Sequence, residues 1–178
     1  MTKDTENVQF QIREAVDEDW PWIIQGEVEI AWVRLSPQER EQRERESIAD
    51  SVAQRIQRLR RDPGFPIQAF VACTEDGDLV GFVWLARTHN DSTGLLEASL
   101  MNQYVAEPYR GHGLGHCLME TAEDWARGQG LPRISLSVGV RNTLGQNLYK
   151  SLGYKPERVR MGKRLFPRQI DVPSQDND

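Results

Sequence analysis

The chain has 178 residues, 38% of them hydrophobic and 28% charged, with a formal net charge of -5. That length suits one domain with a genuine core, and the mild acidity argues against a general nucleic-acid binder, which is usually basic. No apolar run approaches the ~20 residues of a membrane span, and the polar start from Met1 to Gln9 lacks the apolar stretch of a signal peptide. A cytoplasmic protein is the expectation, with Cys73 and Cys117 read as reduced core residues in apolar segments.

Met1 to Asn7 reads as a polar tail. Val8, Phe10 and Ile12 then alternate with polar residues, the period of a half-buried strand. A helix should begin near Asp17 to Pro21, with Ile24, Val28, Ala31 and Leu35 on one face and Gly26 as a weak point. Ser36-Pro37-Gln38-Glu39 is a second helix start with a capping box, and Ile48, Val52, Ile56 and Leu59 continue a helical stripe. Asp62 to Pro66 breaks that helix. Gln68–Thr74 and Leu79–Arg87 read as a hairpin turning at Glu75–Asp78, and Leu95–Val105 as the next strand. A helix carrying Leu114, Leu118, Ala122 and Trp125 stops around Gly128 to Gly130. Ile134–Val138 reads as a strand, Asn142–Leu152 as a short helix, and Tyr154–Phe166 as a closing hairpin before a polar tail, 167–178, read as disordered. Mixed alternating and hairpin connections give an α/β fold, a mixed sheet with helices on its faces.

Between the Leu95–Val105 strand and the following helix lies Arg110-Gly111-His112-Gly113-Leu114-Gly115, a glycine at every second position. Glycines allow backbone N–H groups to crowd toward one point, and the start of a helix leaves N–H groups unpaired at its positive end. Such a loop suits a phosphate or diphosphate. Its spacing is neither the dinucleotide fingerprint nor a Walker loop, because Leu114-Gly115-His116 does not supply the Gly-Lys-Ser/Thr ending.

The loop resembles the acyl-CoA loop of the GNAT superfamily of N-acetyltransferases, whose pattern Arg/Gln-x-x-Gly-x-Gly/Ala is matched by Arg110, Gly113 and Gly115. A second stretch, Asn142 to Tyr154, resembles that family's Asn-x-x-Ala-x-x-Leu-Tyr-x-x-x-Gly-Phe/Tyr: Asn142, Leu148, Tyr149, Gly153 and Tyr154 match, with Gly145 where alanine is usual. The resemblance spans Gln9 to Phe166 as a single domain, 9–166. It implies a mostly antiparallel central sheet with helices on both faces and two splayed parallel strands, Leu95–Val105, which would be bulged, and Ile134–Val138. It also implies acetyl-CoA as acyl-donor cosubstrate and direct transfer of acetyl to a primary amine of a small molecule or peptide. Dimers are common in the family, although no interface signature stands out here.

Residue by residue, the resemblance places the diphosphate on Gly111, His112, Gly113, Leu114 and Gly115 beside Arg110. The pantetheine arm falls along Tyr104 and Val105 and near Asn142. Val105 N–H becomes an oxyanion donor, and Tyr149 the acid that protonates the departing sulfur. A phenol of pKa ~10 still holds its proton at neutral pH and can donate to a thiolate of pKa ~8.5. Members often carry a basic glutamate at positions matching Ser99 or Met101; this sequence has neither. Glu97 shares their strand parity and could act through water, or be a solvated edge residue. The missing glutamate also keeps open a non-catalytic acyl-CoA-binding sensor of the same fold.

Other candidates are read against simpler roles. Trp20, Trp22 and Trp32 form either core or an aromatic wall to an acceptor pocket, and Glu27 and Glu29 either a solvated face or a draw for a cation. Arg141, Lys150 and Lys155 are candidates for the 3′-phosphate. His89, His112 and His116 carry no metal expectation.

Overall fold

The computed structural model describes residues 9–163. Five strands follow one another across a single sheet in chain order: β1 (Gln11–Glu14), β2 (Ile67–Cys73), β3 (Leu79–His89), β4 (Leu96–Val105) and β5 (Ile134–Leu136). The first four pair antiparallel, and β4 runs parallel to β5. Helices α1 (Trp20–Arg34), α2 (Pro37–Glu41) and α3 (Arg45–Arg61) intervene between β1 and β2. Helix α4 (Leu114–Gly128) joins β4 to β5, and α5 (Thr143–Ser151) follows β5.

Two cores lie on opposite faces of this sheet. Leu114, Leu118, Met119, Ala122 and Ala126 of α4 pack with Val83, Leu85, Ala98 and Leu100 on one face. Ile23 and Val28 of α1 and Val52 and Ile56 of α3 pack with Val71, Phe82 and Trp84 on the other. Strand β3 is buried from Val80 to Ala86, so its apolar run is continuous, as in a strand covered on both faces. Gly26 lets α1 approach this layer: a Cβ there would lie 2.5 Å from the Phe82 ring. That close approach offsets the ~1 kcal/mol a helical glycine costs.

The structure departs from the sequence reading at several places. The expected Ile24–Val28–Ala31 stripe of α1 does pack on the sheet, but the buried face is wider than expected and also takes in Trp20, Ile23 and the carboxyl of Glu27. The helix expected from Ser36 onward is two helices. Ser36 and Glu39 form their reciprocal capping box, but α2 buries no residue and stops at Glu41, and α3 starts at Arg45. The expected closing hairpin is not formed as far as Lys163: residues 154–163 hold no strand, and Val159 and Met161 are exposed. Its remainder at 164–166, the tail at 167–178, and residues 1–8 including Val8 lie outside the described residues.

Candidate active site

The site is built on β4. Its first half, Ala98–Leu100, pairs with Ile134–Leu136 of β5. Beyond Leu100 the two strands part, and Met101–Val105 keep only β3 as a neighbour. The divergence coincides with a bulge: Trp84 faces Asn102 and Leu85 faces Leu100, so Met101 is the extra residue. Ala98 and Leu100 point to the α4 face, but the extra residue turns Asn102 to the α1 face. At the strand's end Ala106 N–H donates to Val80 O on β3. By the alternation of an antiparallel ladder, Val105 therefore presents its N–H and C=O to the open edge. Arg110 Nε donates to that carbonyl at 2.8 Å, which leaves the amide facing the gap.

The glycine loop continues from this edge. Gly111 and Gly113 both have φ +83°, the left-handed region that favours glycine, and Gly113 caps α4. The first bonds of that helix run from His116 N–H and Cys117 N–H to Gly113 O. Among the described residues, the N–H groups of Gly111, His112, Gly113, Leu114 and Gly115 have no acceptor. Nothing lies within 4 Å of where a Cβ would stand on Gly111 or Gly113. Five unclaimed donors at a helix start, with open space before them, fit the diphosphate of a CoA ester. Gln103 Nε2 donates to Gly115 O at 2.6 Å and ties the loop to β4.

Helix α5 closes the other side of the gap. Asn142 Oδ1 accepts from Gly145 N–H at 2.9 Å and caps the helix, so its Oδ1 is already used and Nδ2 is the group left for a ligand. Gly145 leaves room for this cap: a Cβ there would lie 2.7 Å from Asn142 Nδ2 and would shift the end of that side chain. Tyr149 packs edge-on against Tyr154 at 5.9 Å. Burial pushes the Tyr149 phenol up, and the nearby Arg34 charge only partly opposes it, so the hydroxyl keeps its proton at neutral pH.

On the α1 side a polar chain crosses an otherwise apolar layer. Glu27 is 1% exposed. Trp84 Nε1 donates to its Oε1 at 2.7 Å, Asn102 Nδ2 to its Oε2 at 2.7 Å, and Arg55 lies 3.4 Å from Oε2. Arg34 donates to Asn102 Oδ1 at 2.7 Å. Burial pushes the Glu27 carboxyl up despite these donors. Glu29 instead pairs with Arg45 at the surface. The tryptophans separate. Trp20 meets Trp84 in the core, Trp22 packs edge-on against Phe82 and Tyr104, and Trp32 lies under Arg40 and Arg45. Only Trp22 thus reaches the open half of β4, through Tyr104.

Glu97 is neither free nor solvated. Its carboxylate accepts from Asn90 Nδ2 at 3.0 Å, Ser135 Oγ at 2.8 Å and Arg133 Nε at 2.8 Å, at the opposite end of β4 from the loop. Cys117 is exposed and not core, because the buried line of α4 runs through Leu114, Leu118 and Ala122. His116 Nε2 lies 3.0 Å from Ser151 Oγ and bridges α4 to α5, while the exposed His112 offers the loop its backbone. Arg141 precedes α5, Lys150 lies in its last turn and Lys155 follows it, all three exposed. The sequence did not single out Arg34 or Asn102, which the structure joins to the buried Glu27 beside the open half of β4.

The model of the GNAT acetyltransferase family matches residues 15–154. A Bacillus subtilis protein provisionally named [ribosomal protein bS18]-alanine N-acetyltransferase is 29% identical over 97 residues, 53% of this chain and 59% of that one. The match spans a little over half the length of that protein and of two further Bacillus subtilis relatives, and less of several others. A solved Pyrococcus furiosus protein, provisionally named an acetyl transferase, superimposes with a TM-score of 0.77 at 25% identity, over 88% of this chain and all of that one. The aminoglycoside N-acetyltransferase AAC(6')-Iy in complex with CoA shares the fold, with a TM-score of 0.67 at 15% identity over 92% of this chain and 100% of that one.

Proposed function

The chain belongs to the GNAT family of acetyltransferases, and on that premise we propose that it is an acetyl-CoA-dependent N-acetyltransferase acting on a primary amine of a small molecule or peptide. One observation carries the reading: five unclaimed N–H groups at the head of α4 adjoin the unpaired half-edge of β4. Acetyl-CoA would supply the thioester carbonyl as the electrophile. The N–H groups of Gly111 to Gly115 hold its diphosphate, and the open edge of β4 takes the amides of its pantetheine arm as a strand would. Asn142 Nδ2 reaches that arm from α5. Val105 N–H, which faces the open edge, would polarise the thioester carbonyl as negative charge develops on its oxygen. Tyr149 hydroxyl, kept protonated by burial, donates to the departing sulfur.

The acceptor amine must lose a proton to attack. The Glu27 and Glu97 carboxylates are both engaged by neighbours, which leaves deprotonation to water and to the amine's own equilibrium. An α-amino group near pKa ~8 is then easier to use than a lysine side chain near ~10.4.

The test is CoA-thiol release from acetyl-CoA against a panel of amines, with calorimetric titration of acetyl-CoA alongside. Release with one amine class, reduced in Tyr149→Phe, supports transfer and the acid together. No binding of acetyl-CoA at millimolar concentration overturns the reading. Binding without release to any amine points to the acyl-CoA-binding module instead.

A further inference from the structure

Arg34 is the last residue of α1, two turns beyond Glu27 on the same helix face. Its position is fixed from below: Arg34 donates to Asn102 Oδ1 at 2.7 Å, and Asn102 Nδ2 in turn donates to the buried Glu27 at 2.7 Å. The β4 bulge makes this possible by turning Asn102 toward α1 at the point where β4 and β5 part. The anchored guanidinium is therefore tied to the first residue after the bulge, where β4 and β5 part. From there its charge also reaches Tyr149 on α5.

Four arginines of α2 and α3 are engaged by carboxylates or carbonyls. Arg45 pairs with Glu29, Arg60 with Asp17 and Arg55 with Glu27, while Arg40 donates to Trp32 O and Val33 O. Arg34 has its hydrogen bond to a neutral amide and feels Glu27 only at a distance, through Asn102, and Arg34 is exposed. An exposed guanidinium held by one N–H keeps further donors for a planar anion.

We propose that Arg34 reads a carboxylate on the acceptor, so that the preferred substrates are amines bearing a nearby carboxylate, such as free amino acids, and not polycationic amines. This rests on the N-acetyltransferase reading above and narrows its substrate class. The carboxylate docks on Arg34, which directs the amine of the same molecule toward the open edge of β4. Asn102 and Glu27 are positioning residues that hold the guanidinium. Polyamines and aminoglycosides meet a fixed cation and are disfavoured.

The experiment compares matched acceptors with the purified full chain: each of the twenty free amino acids, its carboxamide, its decarboxylated amine where one exists, and spermidine. Acetyl-CoA affinity is measured in parallel by calorimetry. The expected result is kcat/KM at least about tenfold higher for the acid than for its amide for at least one amino acid. In Arg34→Gln that preference collapses to within about twofold, while acetyl-CoA affinity is retained; in Arg34→Lys it is partly kept. Equal or better turnover of amides or spermidine overturns the inference. So does a uniform loss across all acceptors in Arg34→Gln, or acetyl-CoA binding without turnover of any free amino acid. Failure of the wild type to bind acetyl-CoA removes the underlying enzyme reading instead, so the two failures are distinct.

Discussion

Residues Ala98–Leu100 of β4 have a strand on either side; residues Met101–Val105 have one on one side only. Within the first half, Glu97 gathers Asn90, Arg133 and Ser135 and locks the β4–β5 junction shut. In the second half the bulge ends the pairing, Arg110 takes one carbonyl, and the amides of Val105 and the glycine loop face open space. One strand thus supplies both a closed frame and an open edge, and a single extra residue separates them. Polar groups in the closed half contribute stability by being satisfied. Those in the open half are available for ligands because they are not.

The sharpest way to break this contrast is at the open end. Gly113→Val should reduce acetyl-CoA affinity at least ~100-fold: its left-handed φ costs a β-branched residue ~1–3 kcal/mol, and the new side chain enters the space in front of the free amides. Calorimetry on the folded variant measures this, and unchanged affinity would show that the loop does not hold the diphosphate. Glu97→Ala tests the closed end. It strands three donors and should cost about 2–3 kcal/mol in urea unfolding, less than a fully buried pair because Arg133 is partly exposed. Turnover per folded molecule should stay within about twofold, since distant sites act independently. A large fall in kcat at full stability would put Glu97 back among the candidate bases.

Tyr149→Phe sharpens the open end further. It removes a donor while keeping the ring against Tyr154. The expected outcome is kcat lower by ~10–100-fold, with acetyl-CoA affinity and melting temperature little changed. A fall in affinity with kcat intact would make Tyr149 a packing residue.

What the sequence revealed follows the same division. The glycine loop and the Asn142–Tyr154 stretch are continuous in the chain, and each acts through local geometry, a left-handed turn or a helix cap, so both were legible. The position of the bulge was not. Period-2 reading of Leu95–Val105 assigns each residue a face, but an extra residue exchanges the faces beyond it, and no side chain at Met101 announces this. Asn102 therefore escaped notice, and with it the anchoring of Arg34. Glu27 was read as a solvated face or a lure for a cation, because a carboxylate has no weight in an apolar stripe. Its partners, Trp84 and Asn102, lie 57 and 75 residues away in sequence. Cys117 erred the other way: it lies in an apolar segment, yet α4 turns it to solvent.

Glu27 yields the smallest expected effect and the most direct view of how the bulge is supported. Burial raises its folded carboxyl above the ordinary range, more than Trp84, Asn102 and the two arginines lower it. A raised carboxyl means that the folded protein holds the proton more tightly than the unfolded chain. The stability linked to that proton is full below the unfolded pKa and is lost as pH rises through the folded one. Glu27→Gln removes the titration and, at neutral pH, exchanges one acceptor for a donor. Relief of the buried charge then opposes the loss of one hydrogen bond, and the net change should be within about 1 kcal/mol. The informative quantity is the slope. The stability of the wild type relative to Glu27→Gln, from urea midpoints between pH 4 and pH 8, should decline as pH rises. A rise would mean that the donors outweigh burial, so that the bulge rests on a firmly ionised carboxylate and Arg34 on a stronger anchor than burial alone allows.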